Sequence, residues 1–178
     1  MYHIKPGEHN MSLETIKEMH KQEKISGSFI TLLRVTLGFA FLTTWISNLT
    51  KGVFTSSGFT GTISYFLDHP DHWVTPFDDF TRNFIFPLAS LLAPAWLIAE
   101  LFISLSLLLG AFTRLGSIIG AGSTIFLGIG TLGVEWLWTQ PLLFVGFVTC
   151  ALTGAGKWYG LDYWLKDKIS GKISKFLI

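Results

Sequence analysis

One carboxylate stands inside a long apolar run. Residues 84–114 read FIFPLASLLAPAWLIAELFISLSLLLGAFTR, and between Phe84 and Arg114 the only ionisable side chain is Glu100. As a helix this run is about 46 Å long, enough to cross a bilayer, and that sets Glu100 near the midplane. A charged carboxylate at that depth is costly, so it must be protonated, paired or beside water, and an acid so placed is a functional candidate by default. Arg34, inside the apolar run of residues 28–50, offers a partner. It lies about 9 Å from one membrane face and Glu100 about 18 Å, a gap that two long side chains close if their helices adjoin. Two chemistries are open, a structural ion pair and a group that gives or takes a proton. Both can hold, since a buried arginine would keep the acid ionised until transfer.

A second set of candidates lies in residues 51–83. Lys51 and Arg82 stand near its two ends, each able to hold an anion through a charge-assisted hydrogen bond or to pair with a nearby aspartate. His69 and His72, in HPDHW, have the HxxH spacing of a metal site. Pro70 disfavours a helix that presents both rings on one face, and no other His or Cys is near, so no metal is expected there. Below about pH 6.5 both rings are cationic, which suits an anion site. Cys150 is the only cysteine; in the apolar setting VTCALTG a thiolate is costly, and the expectation is inert packing. GIGTLG, residues 128–133, is a literal GxGxxG, but a dinucleotide site needs that pattern on a strand-to-helix turn. Within an apolar helix these glycines are for packing.

The elements that must position these residues follow from composition. Of 178 residues 49% are hydrophobic and 14% charged, against roughly a quarter charged in soluble domains, which marks an integral membrane protein. A net charge of +1 and the lack of a basic patch interleaved with aromatics exclude nucleic acid as a partner. Four apolar runs, residues 28–50, 84–112, 115–134 and 139–156, approach or exceed the roughly 20 residues of a spanning helix. Short second and third connections predict an all-α, antiparallel four-helix membrane bundle, with residues 1–27 a polar segment and 51–83 a long outer loop. Gly116 and Gly120 form a GxxxG that lets helices approach closely. Most lysines and arginines fall on one side if both termini are cytoplasmic, leaving Lys51 and Arg82 outside. The expected placement is a multi-pass plasma-membrane protein whose first span is an uncleaved anchor. Trp136 and Trp138 fall at the outer boundary and Trp158 and Trp164 at the inner one. Residues 157–178 alternate apolar residues with lysines, as an amphipathic helix on the membrane lipid would.

Several features together resemble the DoxD/DoxX family of small four-helix membrane proteins. They are Arg34 and Gly38 early in the first span, Glu100, the run LLLGAFTR ending at Arg114, and GAGKWYGLD at residues 154–162. The segment TTWISNLTKG at residues 43–52, with a long outer loop after it, is closer to the DoxD branch. That resemblance implies the larger subunit of a thiosulfate:quinone oxidoreductase of archaeal type, converting thiosulfate to tetrathionate with reduction of a membrane quinone of the caldariellaquinone kind. It implies a DoxA-like smaller subunit as partner and a downstream quinol oxidase that draws on the quinone pool. Glu100 and Arg34 are then the catalytic candidates, Trp45, Asn48 and Glu100 line the quinone pocket, and Lys51, Arg82, His69 and His72 hold thiosulfate. No flavin, haem or metal motif is visible in the chain. The other reading is a non-catalytic membrane anchor or assembly partner for a soluble redox protein.

Overall fold

The computed structural model describes residues 13–165 and Lys168. The expectations for residues 1–12, and for most of the amphipathic segment after residue 165, lie outside these residues. Among the described residues the chain is helical and has no strand.

Helix α1, Leu13–Thr50, is 38 residues long. Its first turns take in residues 13–27 of the polar segment, because TIKEMHKQEK consists mostly of good helix formers with no proline to stop it. The next elements correct an expectation, since residues 51–83 are largely helical. Helix α2, Ser56–Leu67, starts where the Thr55 hydroxyl accepts the Gly58 amide at 3.1 Å, the bond that satisfies an orphan donor at a helix start. It buries Phe59 and Leu67, and Phe59 packs on Ala89 and Ala93. Helix α3, Thr75–Phe80, carries Pro76 in its first turn, where a missing N–H costs nothing. It passes through a π turn, Thr81–Ile85, and a 3-10 turn, Phe86–Leu88, into α4, Ala89–Leu109. Pro87 accounts for the irregular turns, since it has no N–H for the carbonyl four residues back.

Helix α5, Thr113–Gly130, and helix α6, Thr139–Thr153, complete a ring in which α1 packs on α4, α4 on α5, α5 on α6 and α6 on α1. A 3-10 turn, Ala155–Lys157, leads to the short helix α7, Asp162–Leu165. Glycines set the close approaches. Gly120 lies under the Phe147 ring, Gly116 against Ser106 and Gly128 against Gln140, each with no room for a larger side chain without a shift. Of the GxGxxG, expected within one helix, Gly128 packs on Gln140 and Gly130 on Phe77, but Gly133 lies past the end of α5 in a turn at φ 89° beside Asp71; Cys150 is wholly buried in the core with Ile103, Leu107 and Phe147.

Two helical stretches, residues 15–50 and 75–109, are long and apolar enough to cross a membrane, and α6 is a shorter apolar helix. The outside of the ring is itself apolar, with Phe29, Phe39, Leu91, Ile98, Leu142 and Val145 exposed. One end of the ring, the loop end, carries α2, α3 and the turn after α5; the other, the closing end, carries residues 110–112 and 154–165. Exposed rings mark both, Trp73, Trp136 and Trp138 at the first and Tyr159, Tyr163 and Trp164 at the second. Trp158 is not among them, being half-buried against Gly27.

The closing end is a knot of buried polar contacts. Arg34, 1% exposed, donates through Nη1 to the Leu107 and Leu108 carbonyls. Those carbonyls belong to the last turn of α4, where no intrahelical donor is available. Gly110 ends α4 in the left-handed region at φ 67°, as a helix C-cap requires. Asp162 then accepts the Phe112 and Thr113 amides at 2.7 and 3.0 Å, capping α5 from far along the chain. The Asp162 amide donates to the Gly110 carbonyl at 2.7 Å.

Candidate functional site

At the loop end the four-helix ring encloses a cavity of about 670 Å³ between α1, α2, α5 and α6, with Glu100 of α4 in its wall. Glu100 is 4% exposed. Asn48 Nδ2 donates to its two carboxylate oxygens at 3.2 and 3.1 Å, and Trp96 Nε1 donates to Oε1 at 2.7 Å. All of these donors are neutral.

The expected ion pair with Arg34 does not form, and the reason is directional. Helical side chains lean toward the N-terminus of their own helix. Since α1 and α4 run in opposite directions, Arg34 leans to the closing end and Glu100 to the loop end. The two groups diverge, Arg34 to the Leu107 carbonyl and Glu100 to Asn48. The expected midplane depth of Glu100 changes with it. Asn48 stands two residues before the end of α1, so the carboxylate lies about 3 Å below that end along the axis.

Of the residues expected around a quinone, Asn48 and Glu100 line the cavity. Trp45 does not, because its indole N–H donates to the Leu97 carbonyl at 3.0 Å and ties α1 to α4. Of the four expected anion ligands, Lys51 lines the cavity. Arg82 is paired with Asp68 at 2.6 Å. The His72 ring is wholly buried, bonded to Asp78 at 2.7 Å and the Leu132 carbonyl at 3.1 Å, so it fastens the loop to the turn after α5. His69 sits 3.6 Å from Asp71. The structure therefore brings Lys51, Asn48 and Glu100 to one cavity and holds Arg82, His69 and His72 on carboxylates elsewhere. Among the described residues no three of His, Cys, Asp and Glu gather as metal ligands.

Sequence reasoning missed Trp96, Glu135 and Gln140, all of which line the cavity. Trp96 was findable, since residues four apart on a helix are neighbours and Trp96 precedes Glu100 by that spacing. Glu135 and Gln140 come together only through the turn between α5 and α6, where Gln140 Nε2 donates to Glu135 Oε2 at 3.3 Å. A second, apolar cavity of about 290 Å³ lies behind Trp96. Phe59, Trp96 and Phe126 belong to the walls of both, with ring centroids 6.5 Å and 6.2 Å apart on either side of the indole.

This arrangement suits a flat, mostly apolar molecule with a polar edge. The main cavity is within the usual range of small-molecule sites, roughly 300–1,000 Å³, and its polar groups converge on Glu100 and, at the mouth, on Lys51, Glu135 and Gln140. A carboxyl held by neutral donors can gain or lose a proton without breaking an ion pair. Once protonated, its O–H needs an acceptor, which a bound carbonyl oxygen would provide.

A family profile described as DoxX matches residues 29–132, more than half of the chain. No curated protein and no solved structure matches the chain.

Proposed function

The chain belongs to the DoxX family, and with its two membrane-length apolar helices it is a membrane protein; from that premise we propose that it is the membrane subunit of a thiosulfate:quinone oxidoreductase. The observation that carries the quinone half is Glu100, a buried carboxyl in the wall of a largely apolar cavity, bonded only to Asn48 and Trp96. The quinone head lies in that cavity with a carbonyl oxygen toward Glu100, and the apolar cavity behind Trp96 receives part of its hydrocarbon tail.

Two thiosulfate ions each lose one electron and join through a new S–S bond as tetrathionate. The quinone gains those two electrons and two protons to become quinol. Glu100 passes protons to the reduced oxygen and regains them from the loop end, where the cavity mouth carries Glu135. Lys51 is the cation at that mouth, placed to attract a dianion. The sulfur half rests on the DoxD-like segment at residues 43–52. The electrons reach the cavity through a DoxA-like smaller subunit, and a quinol oxidase consumes the product. Both termini are cytoplasmic and the loop end is external, in keeping with the bias of lysines and arginines.

The test is thiosulfate-dependent quinone reduction by the chain purified with its membrane partners. Glu100→Gln keeps shape and hydrogen bonding but cannot exchange a proton, and should lower turnover by roughly a hundredfold while the complex stays assembled. Full turnover in that variant would remove Glu100 from the reaction. An assembled complex inert to thiosulfate would leave the chain as an anchor for another redox protein.

A further inference from the structure

Apart from the Glu100 cavity, the closing end presents a cationic and aromatic surface that neither the fold nor the proposed reaction uses. Lys17, Lys21 and Lys24 follow one another at spacings of four and three, so they share one face of α1. All three are exposed and line a common groove. Lys24 also lines an open cavity of about 600 Å³, which Lys157 borders from the other side of the chain. The rest of that cavity is apolar or aromatic, with Leu109, Leu161, Trp158 and Trp164 in its wall. Trp164 is 71% exposed and Tyr159, also in the wall, 72%. No described carboxylate lines either depression. Asp162 is taken up in capping α5, and Glu18 stands 3.8 Å from Lys21 in an exposed pair within the lysine row itself, so Lys24 and Lys157 are the cations on which the site turns.

We infer that this face binds an anionic membrane lipid, its phosphate between Lys24 and Lys157 and its hydrocarbon chains along Leu109, Trp158 and Trp164. Cations beside exposed rings at the end of an apolar bundle match both the charge and the amphipathic shape of such a molecule. Residues 1–12 and 166–178 are poor in acids. Residues 166–178 carry Lys166, Lys168, Lys172 and Lys175 against one acid, Asp167, and residues 1–12 carry Lys5 against Glu8. A second copy would bring the same cations. A free phosphate would neutralise the lysines but leave the rings and leucines bare.

The experiment uses the full chain in neutral detergent, titrated with phosphatidylglycerol, phosphatidylcholine or inorganic phosphate, with bound lipid counted by native mass spectrometry. Phosphatidylglycerol should be retained and phosphatidylcholine should not. Lys24→Gln with Lys157→Gln should weaken phosphatidylglycerol binding by roughly tenfold or more at an unchanged melting temperature, since both side chains are exposed. Equal retention of both lipids, or wild-type retention by the double variant, would overturn the assignment. So would inorganic phosphate displacing the lipid at comparable concentration, which makes the site one for free anions. Amine labelling in native membranes supplies the last arm. Protection of Lys24 and Lys157 by a co-purified protein, with none from phosphatidylglycerol, would give the face to a protein partner instead.

Discussion

The separation of Arg34 from Glu100 makes a quantitative prediction about their independence. In Arg34→Met the buried stem is largely replaced, and what is lost is the guanidinium on the last carbonyls of α4. Nη1 serves Leu107 closely and Leu108 at 3.4 Å, while Nε has no partner. The loss is therefore close to one hydrogen bond from a charged donor, about 1.5–3 kcal/mol. At about 2–4 °C per kcal/mol for a chain of this size, the melting temperature should fall by about 3–12 °C. Glu100→Gln keeps an acceptor for Asn48 and Trp96 and should be nearly neutral for stability. Leu107 is seven residues from Glu100 on α4, about 10 Å along the axis, so the two effects should add in Arg34→Met/Glu100→Gln to within about 0.5 kcal/mol. Thermal unfolding of the four proteins in one detergent measures this. If the two charges were a buried pair, each single variant would lose about 3–5 kcal/mol and the double would recover most of it. Such recovery would refute the diverging geometry.

Three further outcomes follow from the same contacts. Trp96→Phe removes the 2.7 Å donor to Glu100 but keeps a ring between Phe59 and Phe126, so quinone turnover should fall by roughly tenfold, with kcat affected more than KM in a steady-state assay. Lys51→Gln should raise the KM for thiosulfate by roughly tenfold, whereas Arg82→Gln, which only releases an exposed pair with Asp68, should leave KM alone and cost less than about 1 kcal/mol of stability; equal effects would move the anion away from the cavity mouth. With the proposed orientation, in which α2 is external, a Ser57→Cys variant should react with a membrane-impermeant maleimide in intact cells, and labelling only after lysis would invert the topology.

What the sequence made legible was what periodicity and charge alone decide. The helical class, the apolar runs, the glycines as packing sites and the burial of Cys150 all follow from local composition. Glu100 stood out because an acid in an apolar run is visible without knowing its neighbours, whereas Asn48 came only from the family resemblance; both line the cavity. The failures are of register and direction. Spacing along two helices gives depths, but the lean of each side chain decides which groups meet, and Arg34 and Glu100 lean apart. Residues 51–83 have no long apolar run and so read as a loop, although Thr55 and Pro76 are sound helix-start signals. For Arg82 the sequence left an anion site and a pair with a nearby aspartate both open, and the fold of the loop decides it by bringing Asp68 to Arg82 and Asp78 to His72.

The residues that gave the chain its family resemblance are not distributed evenly between the two ends. Gly38 packs against the Leu107–Leu108 backbone, and Gly110 against Arg34 and Gly160, while Arg34 and Asp162 close the knot on α4 and α5. These positions hold the helix ends in register, whereas Glu100 and the segment at residues 43–52, through Thr43, Thr44, Ser47, Asn48 and Lys51, line the cavity. The cavity's other walls are drawn from α2, α5, the turn at Glu135 and α6, at the opposite end of the ring from the knot. A fold of this construction can therefore keep one scaffold and vary its ligand at the loop end, since function belongs to the site rather than to the architecture. The family match, residues 29–132, takes in cavity and scaffold alike, and the substrate must be argued from Glu100, Asn48, Trp96 and Lys51. That is why the decisive variants lie at the cavity, and why a change at Arg34 or Asp162 would lower activity only as far as it loosens the helices that carry those four side chains.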